Sequence, residues 1–221
     1  MTQIKTTFNN SLLNDEDVCI IFWSSGTTGM PKGIQHTITY MRKVFRSFWS
    51  LRKVVPVRST YLTTTCHFHI GGFFTPLNIM DRPITYVFNH GEDMEKFGCS
   101  ELIYREIDTF KPTFMICGSH HLVQLSQNSP FDERLQLDSV KTVMPMGSTV
   151  PSTLFNDLKK HLKDIECIYN MYGMSEVTGL ISSSTDVNNI GVVAEGVSVK
   201  IVETENGASC GPYQVPKGVL S

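Results

Sequence analysis

The sequence predicts an α/β fold in which mixed, largely parallel strands are flanked by helices. Three observations carry this expectation. Short runs rich in Val, Ile, Thr and aromatic residues recur along the chain, each bounded by Gly, Pro or Ser. Stretches with apolar residues at helical spacing lie between them. Apolar residues make up 41% and charged residues 18% of the 221-residue chain, a balance that builds a core. Strands that alternate with helices favour a parallel sheet.

Taken in order, residues 1–16 are a polar leader without the apolar stretch of a signal peptide. A core domain is expected over residues 17–196. Its strands are Val18–Trp23, Thr60–Cys66, Ile84–Phe88, Thr113–Cys117, Val140–Met144 and Glu166–Asn170. Ile38, Met41, Phe45 and Phe48 repeat with the period of a helix, and so do Leu102, Ile103, Glu106 and Ile107, closed before Lys111-Pro112. Pro151 suits the first turn of a third helix running to Leu162. Residues 197–221 open a β-rich subdomain, with a strand Val197–Val202 and a hairpin turn at Glu205-Asn206-Gly207. The last residues, Pro216 to Ser221, read as the approach to another strand, which predicts a piece of a longer protein.

A net charge of −2 gives no overall field that would recruit nucleic acid. The basic cluster Arg42, Lys43, Arg46, Arg52 and Lys53 reads as a solvated helix face. The six cysteines are scattered without a CxxC pair, and several sit in apolar runs, which predicts buried, reduced thiols. No apolar run is long enough to span a membrane. The expectation is a soluble intracellular protein, cytoplasmic or peroxisomal.

The most informative segment is Ser24-Ser25-Gly26-Thr27-Thr28-Gly29-Met30-Pro31-Lys32-Gly33, read as a loop between a strand and a helix. Glycines let a backbone turn and approach an anion closely. Free N–H groups and four hydroxyls supply donors to phosphate oxygens, and Lys32 adds a compact positive charge. The spacing fits neither a Walker loop, since Pro31 and Gly33 fall where Gly and Ser or Thr belong, nor the pattern GxGxxG. It is a phosphate loop of another kind.

This segment resembles the signature loop of the acyl-adenylate-forming superfamily, which includes acyl-CoA synthetases, coumarate–CoA ligases, beetle luciferases and the adenylation domains of peptide synthetases. Other stretches match in the family's order. Phe68-His69-Ile70 with Gly72 resembles "FHxxG", Lys111-Pro112-Thr113 the "PT" strand entry, and Tyr172-Gly173-Met174-Ser175-Glu176 "YGxTE". Pro145 to Val150 stands where the family carries "SGGAPL" and keeps only Gly147 cleanly. Cys66 replaces the usual proline before "FH", and Ile38, with His36 displaced nearby, replaces the histidine after the loop.

The resemblance implies the large N-terminal domain of an adenylate-forming enzyme, in part. It implies attack of a carboxylate on the α-phosphate of MgATP, then transfer of the acyl group to coenzyme A. By the same resemblance, Ser24, Ser25, Gly26, Thr27, Thr28, Gly29 and Lys32 hold the phosphates. Gly147, Ser148, Asn170, Met171 and Tyr172 surround the base, Ser175 lies near the α-phosphate, Glu176 holds Mg2+, and His69 lines the acyl pocket. The family's ribose-binding aspartate and lysine-bearing lid would lie beyond Ser221, so residues 1–221 alone are expected to turn over little. Two alternatives stand beside this reading: a truncated or inactive nucleotide-binding module, and a luciferase-like oxygenase using the same adenylation step.

Alone, Tyr172 to Glu176 reads most simply as an acidic turn, although a hydroxyl and a carboxylate at a strand end can hold a phosphate oxygen and Mg2+. A strand through Cys66 would place His67 and His69 on one face, yet no fourth zinc ligand has suitable spacing. His120 and His121, after a strand end, read as polar rim. Gly173 to Val177 departs from a nucleophile elbow at Val177, which excludes a serine hydrolase.

Overall fold

The structure, a computed structural model, describes residues 14–24, 30–47, 52, 55–88, 99–128, 130, 132–177 and 179–200. A five-stranded parallel sheet forms its centre, in the order β4-β3-β5-β6-β7. The strands are β3 Thr60–Thr63, β4 Thr85–Phe88, β5 Phe114–Gly118, β6 Thr142–Met146 and β7 Cys167–Ile168. Before them lies an antiparallel hairpin, β1 Val18–Ser24 and β2 Lys32–Thr37. After them comes a three-stranded antiparallel sheet of β8 Asn170–Met174, β9 Gly179–Ser184 and β10 Val192–Val193. The helices are α1 Ile38–Ser47, α2 Ile70–Ile79, α3 Cys99–Phe110, α4 Ser119–Gln127 and α5 Leu154–Leu158.

Both faces of the parallel sheet are covered, as parallel sheets require. Leu62, Met115, Cys117 and Val143 point to one face, packed by Ile103 and Ile107 of α3, Leu122 and Leu125 of α4, and Leu154 and Leu158 of α5. Tyr61, Phe114, Ile116 and Met144, their neighbours in sequence, point to the other. There they meet Phe22 of β1, Met41 and Val44 of α1, Phe74 of α2 and Leu180 of β9. Across the strands Tyr61 stacks between Tyr86, at 5.2 Å, and Phe114, at 5.1 Å. Tyr104 of α3 donates to the carbonyl oxygens of Leu125 and Asn128 at 2.9 and 2.7 Å, fixing α3 to the end of α4.

Five expectations need correction. The glycine-rich loop does not run from strand to helix; it joins two antiparallel strands, with Ser24 paired to Lys32. The alternation that makes β2 is there, but its inward positions are Ile34 and His36, and a buried histidine does not read as apolar. The third helix spans only Leu154–Leu158, because Pro151 precedes it and the chain turns after Lys159. Residues 197–200 form no strand, and the Glu205-Asn206-Gly207 turn lies outside the described residues. His67 and His69 do not share a strand face, since β3 ends at Thr63. Cys19 and Cys66 are exposed thiols; of the predicted buried set, Cys117 is buried and Cys167 half-buried. No helix among the described residues is long and apolar enough to cross a membrane.

Candidate active site

Strand order reverses between β3 and β5: from β3 the chain steps outward to β4, then returns past β3 to β5, β6 and β7. Ligands of open parallel sheets bind beyond the carboxyl ends of the strands at such a point. Here the residues beyond those ends are Thr64 to His69 after β3, Gly118 to His121 at the end of β5, and Met146 to Ser148 at the end of β6. All of them except His67 and Ser119 line a cavity of about 530 Å³. A second cavity, of about 160 Å³, lies on the β8 side, between Ile70 and Gly71 of α2, Met171 to Ser175 of β8 and the turn after it, and Gly179 and Leu180 of β9. The two share one wall, made of His69, Met146 and Gly147.

Each wall residue is held in its own way. His69 caps α2, its Nδ1 accepting from the Gly71 N–H at 3.1 Å. Burial pushes its imidazole below the ordinary histidine value. Gly147 has φ +95°, a conformation that suits glycine, and no neighbouring atom would obstruct a side chain there. The hydroxyl of Ser119 lies 3.1 Å from the Met146 carbonyl oxygen and 2.7 Å from that of Ser148, pinning the turn to the start of α4.

Ser175 and Glu176 form a short 3-10 turn at the end of β8. Glu176 is exposed, with its carboxylate free to meet solvent or a ligand. His36 of β2, only 2% exposed, stacks on Tyr40 at 5.4 Å and lies beside the Ser175 backbone. Burial lowers its affinity for a proton, and the Ser175 backbone opposes this. The hairpin that carries the displaced histidine thus packs beside the turn that holds Ser175 and Glu176. Lys32 is exposed at the mouth of the hairpin, opposite Ser24. Ser25, Gly26, Thr27, Thr28 and Gly29 lie outside the described residues.

Of the residues expected around a base, Gly147, Met171 and Tyr172 line the smaller cavity and Ser148 the larger one. Tyr172 leaves 46% of its surface to solvent, an open face for stacking. Asn170 lines neither cavity; its amide nitrogen turns to the Asn189 carbonyl at 3.3 Å. Sequence reasoning missed Gly71, Met146, Gly179 and Leu180, which carry no chemistry of their own and become visible only through the walls they form.

His120 and His121 are more than rim. Their rings lie 3.9 Å apart, folded over Gly118, where a Cβ would come within 2.8 Å of His120 Cε1. His121 Nδ1 and the Thr64 hydroxyl, 3.0 Å apart, bridge the carboxyl ends of β3 and β5. Burial, and then the neighbouring His120, lower the His121 pKa to about 4 from 6.5. The unfolded chain therefore takes up this proton first as pH falls. The contribution is fully present above about 6.5 and is lost progressively toward about 4. Melting temperature should drop across that window, and drop less in His121→Asn, measured by thermal denaturation at stepped pH. Equal slopes in both proteins would show that His121 titrates as it does in the unfolded chain.

Comparison with known proteins agrees with this geometry. Acyl-CoA synthetase 7 of Caenorhabditis elegans is 26% identical over 211 residues, covering 90% of this chain and 37% of that protein. The chain thus spans little more than a third of that relative's length. The luciferase-like enzyme of the nonluminescent mealworm Zophobas morio superposes with a TM-score of 0.68 at 26% identity, covering 91% of this chain and 47% of that one. The O-succinylbenzoate coenzyme A synthetase of Bacillus subtilis, solved with ATP and magnesium ion, shares the fold at a TM-score of 0.66 and 21% identity, over 91% of this chain and 40% of that one. The sequence matches the AMP-binding enzyme family from residue 3 to residue 220, and the chain belongs to that family.

Proposed function

We propose that the protein, in the length in which the cell makes it, activates a carboxylic acid with ATP and passes the acyl group to coenzyme A. One observation carries this: the β1–β2 hairpin, which ends in Ser24 and Lys32, packs beside the Ser175–Glu176 turn, and Ser175 of that turn borders a mainly apolar cavity. That arrangement supports a reading with triphosphate at the loop, acid in the cavity and the reacting atoms between them. The carboxylate oxygen attacks the α-phosphorus, the bond to the β-phosphate oxygen breaks, and pyrophosphate leaves. The thiol of coenzyme A then displaces AMP from the acyl carbon and loses its proton. Such a reaction needs positioning and charge neutralisation more than a protein nucleophile.

The roles are these. The loop from Ser24 to Gly29 and the Lys32 ammonium bind the phosphates. The solvent-exposed face of Tyr172 takes the base, which leaves the apolar side of the smaller cavity to the acid. Ser175 donates near the α-phosphate, and His69 orients the carboxylate end of the acid. Among the described residues no group of three His, Cys, Asp or Glu side chains could hold a metal, and Glu176 stands as a single exposed carboxylate. That suits magnesium, which takes one or two carboxylates and completes its shell with phosphates and water. When bound it neutralises phosphate charge.

The test is exchange of labelled pyrophosphate into ATP. Exchange should require magnesium and a carboxylic acid, with at least one substrate among short, aromatic and long-chain acids. Silence over the whole panel with folded protein would overturn the proposal.

A further inference from the structure

We infer that Met146 and Gly71 together set the size of the acid, limiting it to a compact body about as large as a benzene ring. This rests on the reading of the smaller cavity as the acid's. That cavity measures about 160 Å³, and its lining is mainly apolar: Ile70, Met146, Met171 and Leu180, with glycine backbone between them. An enclosed apolar cavity of about 150 Å³ holds benzene; this one has a similar volume but opens to solvent on one side, so its inner wall sets how deep an acid can reach. Beyond its wall lies the larger cavity, of about 530 Å³.

Of the three residues in that wall, two cannot yield. The His69 ring is held by its bond from the Gly71 N–H, and Gly147 has no side chain to move. Met146 can. Its main chain is fixed, paired with Gly118 across β5 and β6 and approached at its carbonyl oxygen by Ser119. Its thioether end is flexible and adaptable. That end is laid in the recess left by Gly71: a Cβ built on Gly71 would stand 1.8 Å from Met146 Cε and 3.1 Å from Sδ. Gly71 lies in the first turn of α2, where alanine would ordinarily favour the helix. The recess is therefore occupied by the flexible side chain of the wall between the two cavities.

The test titrates the protein by calorimetry with butanoate, benzoate and decanoate, and repeats the acids in the pyrophosphate exchange assay. Wild type should bind benzoate at least about tenfold more tightly than decanoate, the discrimination that a wall displaced by a few methylenes gives. Met146→Ala should join the cavities and reverse that order. Met146→Leu, which keeps the volume, should retain it and serves as the control for folding. Gly71→Ala should expel the thioether and weaken benzoate binding. In the Met146→Ala background the same change should have no further effect, since the added methyl has nothing to strike. Wild type that binds all three acids alike, or a folded Met146→Ala protein with the wild-type order, overturns the inference. Size-selective binding without exchange would overturn the ligase reading and leave the gate standing.

Discussion

Gly173→Ala should damage both the fold and the site. The added carbon would stand 1.9 Å from the Gly179 carbonyl oxygen and 2.7 Å from its carbon. Both are main-chain atoms of the neighbouring strand, paired in the register Gly173 to Leu180 and Met174 to Gly179. Neither can move without opening that pairing. Overpacking costs roughly 1–3 kcal/mol and more when backbone must shift, which in a chain of this size lowers melting by about 2–4 °C per kcal/mol. Ser175 and Glu176 follow directly, so nucleotide binding should fall with stability. Melting and ATP titration on the same protein check this. Unchanged values for both would mean that the strands cross with more room than the geometry gives.

Lys32→Ala should do the reverse, leaving the fold intact and removing triphosphate affinity. Lys32 is exposed at the end of β2 and belongs to neither buried cluster. Surface substitutions of this kind stay within about 0.5 kcal/mol. A charge-assisted hydrogen bond contributes roughly 1.5–3 kcal/mol, so ATP and pyrophosphate should bind about ten- to a hundredfold more weakly. AMP, which carries only the α-phosphate, should bind nearly as before. Equal weakening of ATP and AMP would move Lys32 to the α-phosphate or ribose, and no weakening of either would remove the phosphate role. A large fall in melting temperature would make the loop a structural element.

What the sequence made legible follows from how each element announces itself. The central strands are short apolar runs between turn residues, and β1, β3, β4, β5 and β6 all emerge within a few residues of their predicted places. Ile38, Met41 and Phe45 likewise mark α1, and Leu102, Ile103 and Ile107 mark α3. Two helices gave no such signal. α2 opens on Gly71 and Gly72 and carries Pro76, three residues that normally argue against a helix. It persists because its Ile70, Phe74 and Ile79 are buried against the sheet. α4 begins Ser119-His120-His121, whose polarity reads as loop, while Leu122 and Leu125 behind them are fully buried.

The site divides in the same way. Residues with chemistry of their own, Lys32, His69, Ser175 and Glu176, could be picked out from motif and type. Residues that act by shape could not, because Met146 lying over Gly71 is a relation between positions far apart in the chain. His36 is the intermediate case. It was visible as a displaced histidine, but its place beside the Ser175 turn depends on β2, a strand that its own polarity concealed.

The reversal of strand order between β3 and β5 also governs when the site can exist as the chain folds. The hairpin of β1 and β2 closes on neighbouring residues, and pairings of that kind form early. The cavities have no walls until Thr60–Thr63 has found Phe114–Gly118, with β4 and α3 looped out between them, and β6 has then joined. Pairings across such long intervals form slowly, because chain entropy is lost before any contact compensates for it. The hairpin proposed to hold phosphate is therefore a local structure that waits for its other half. The cavities beside it are complete only when the last of the long-range strand pairings has formed.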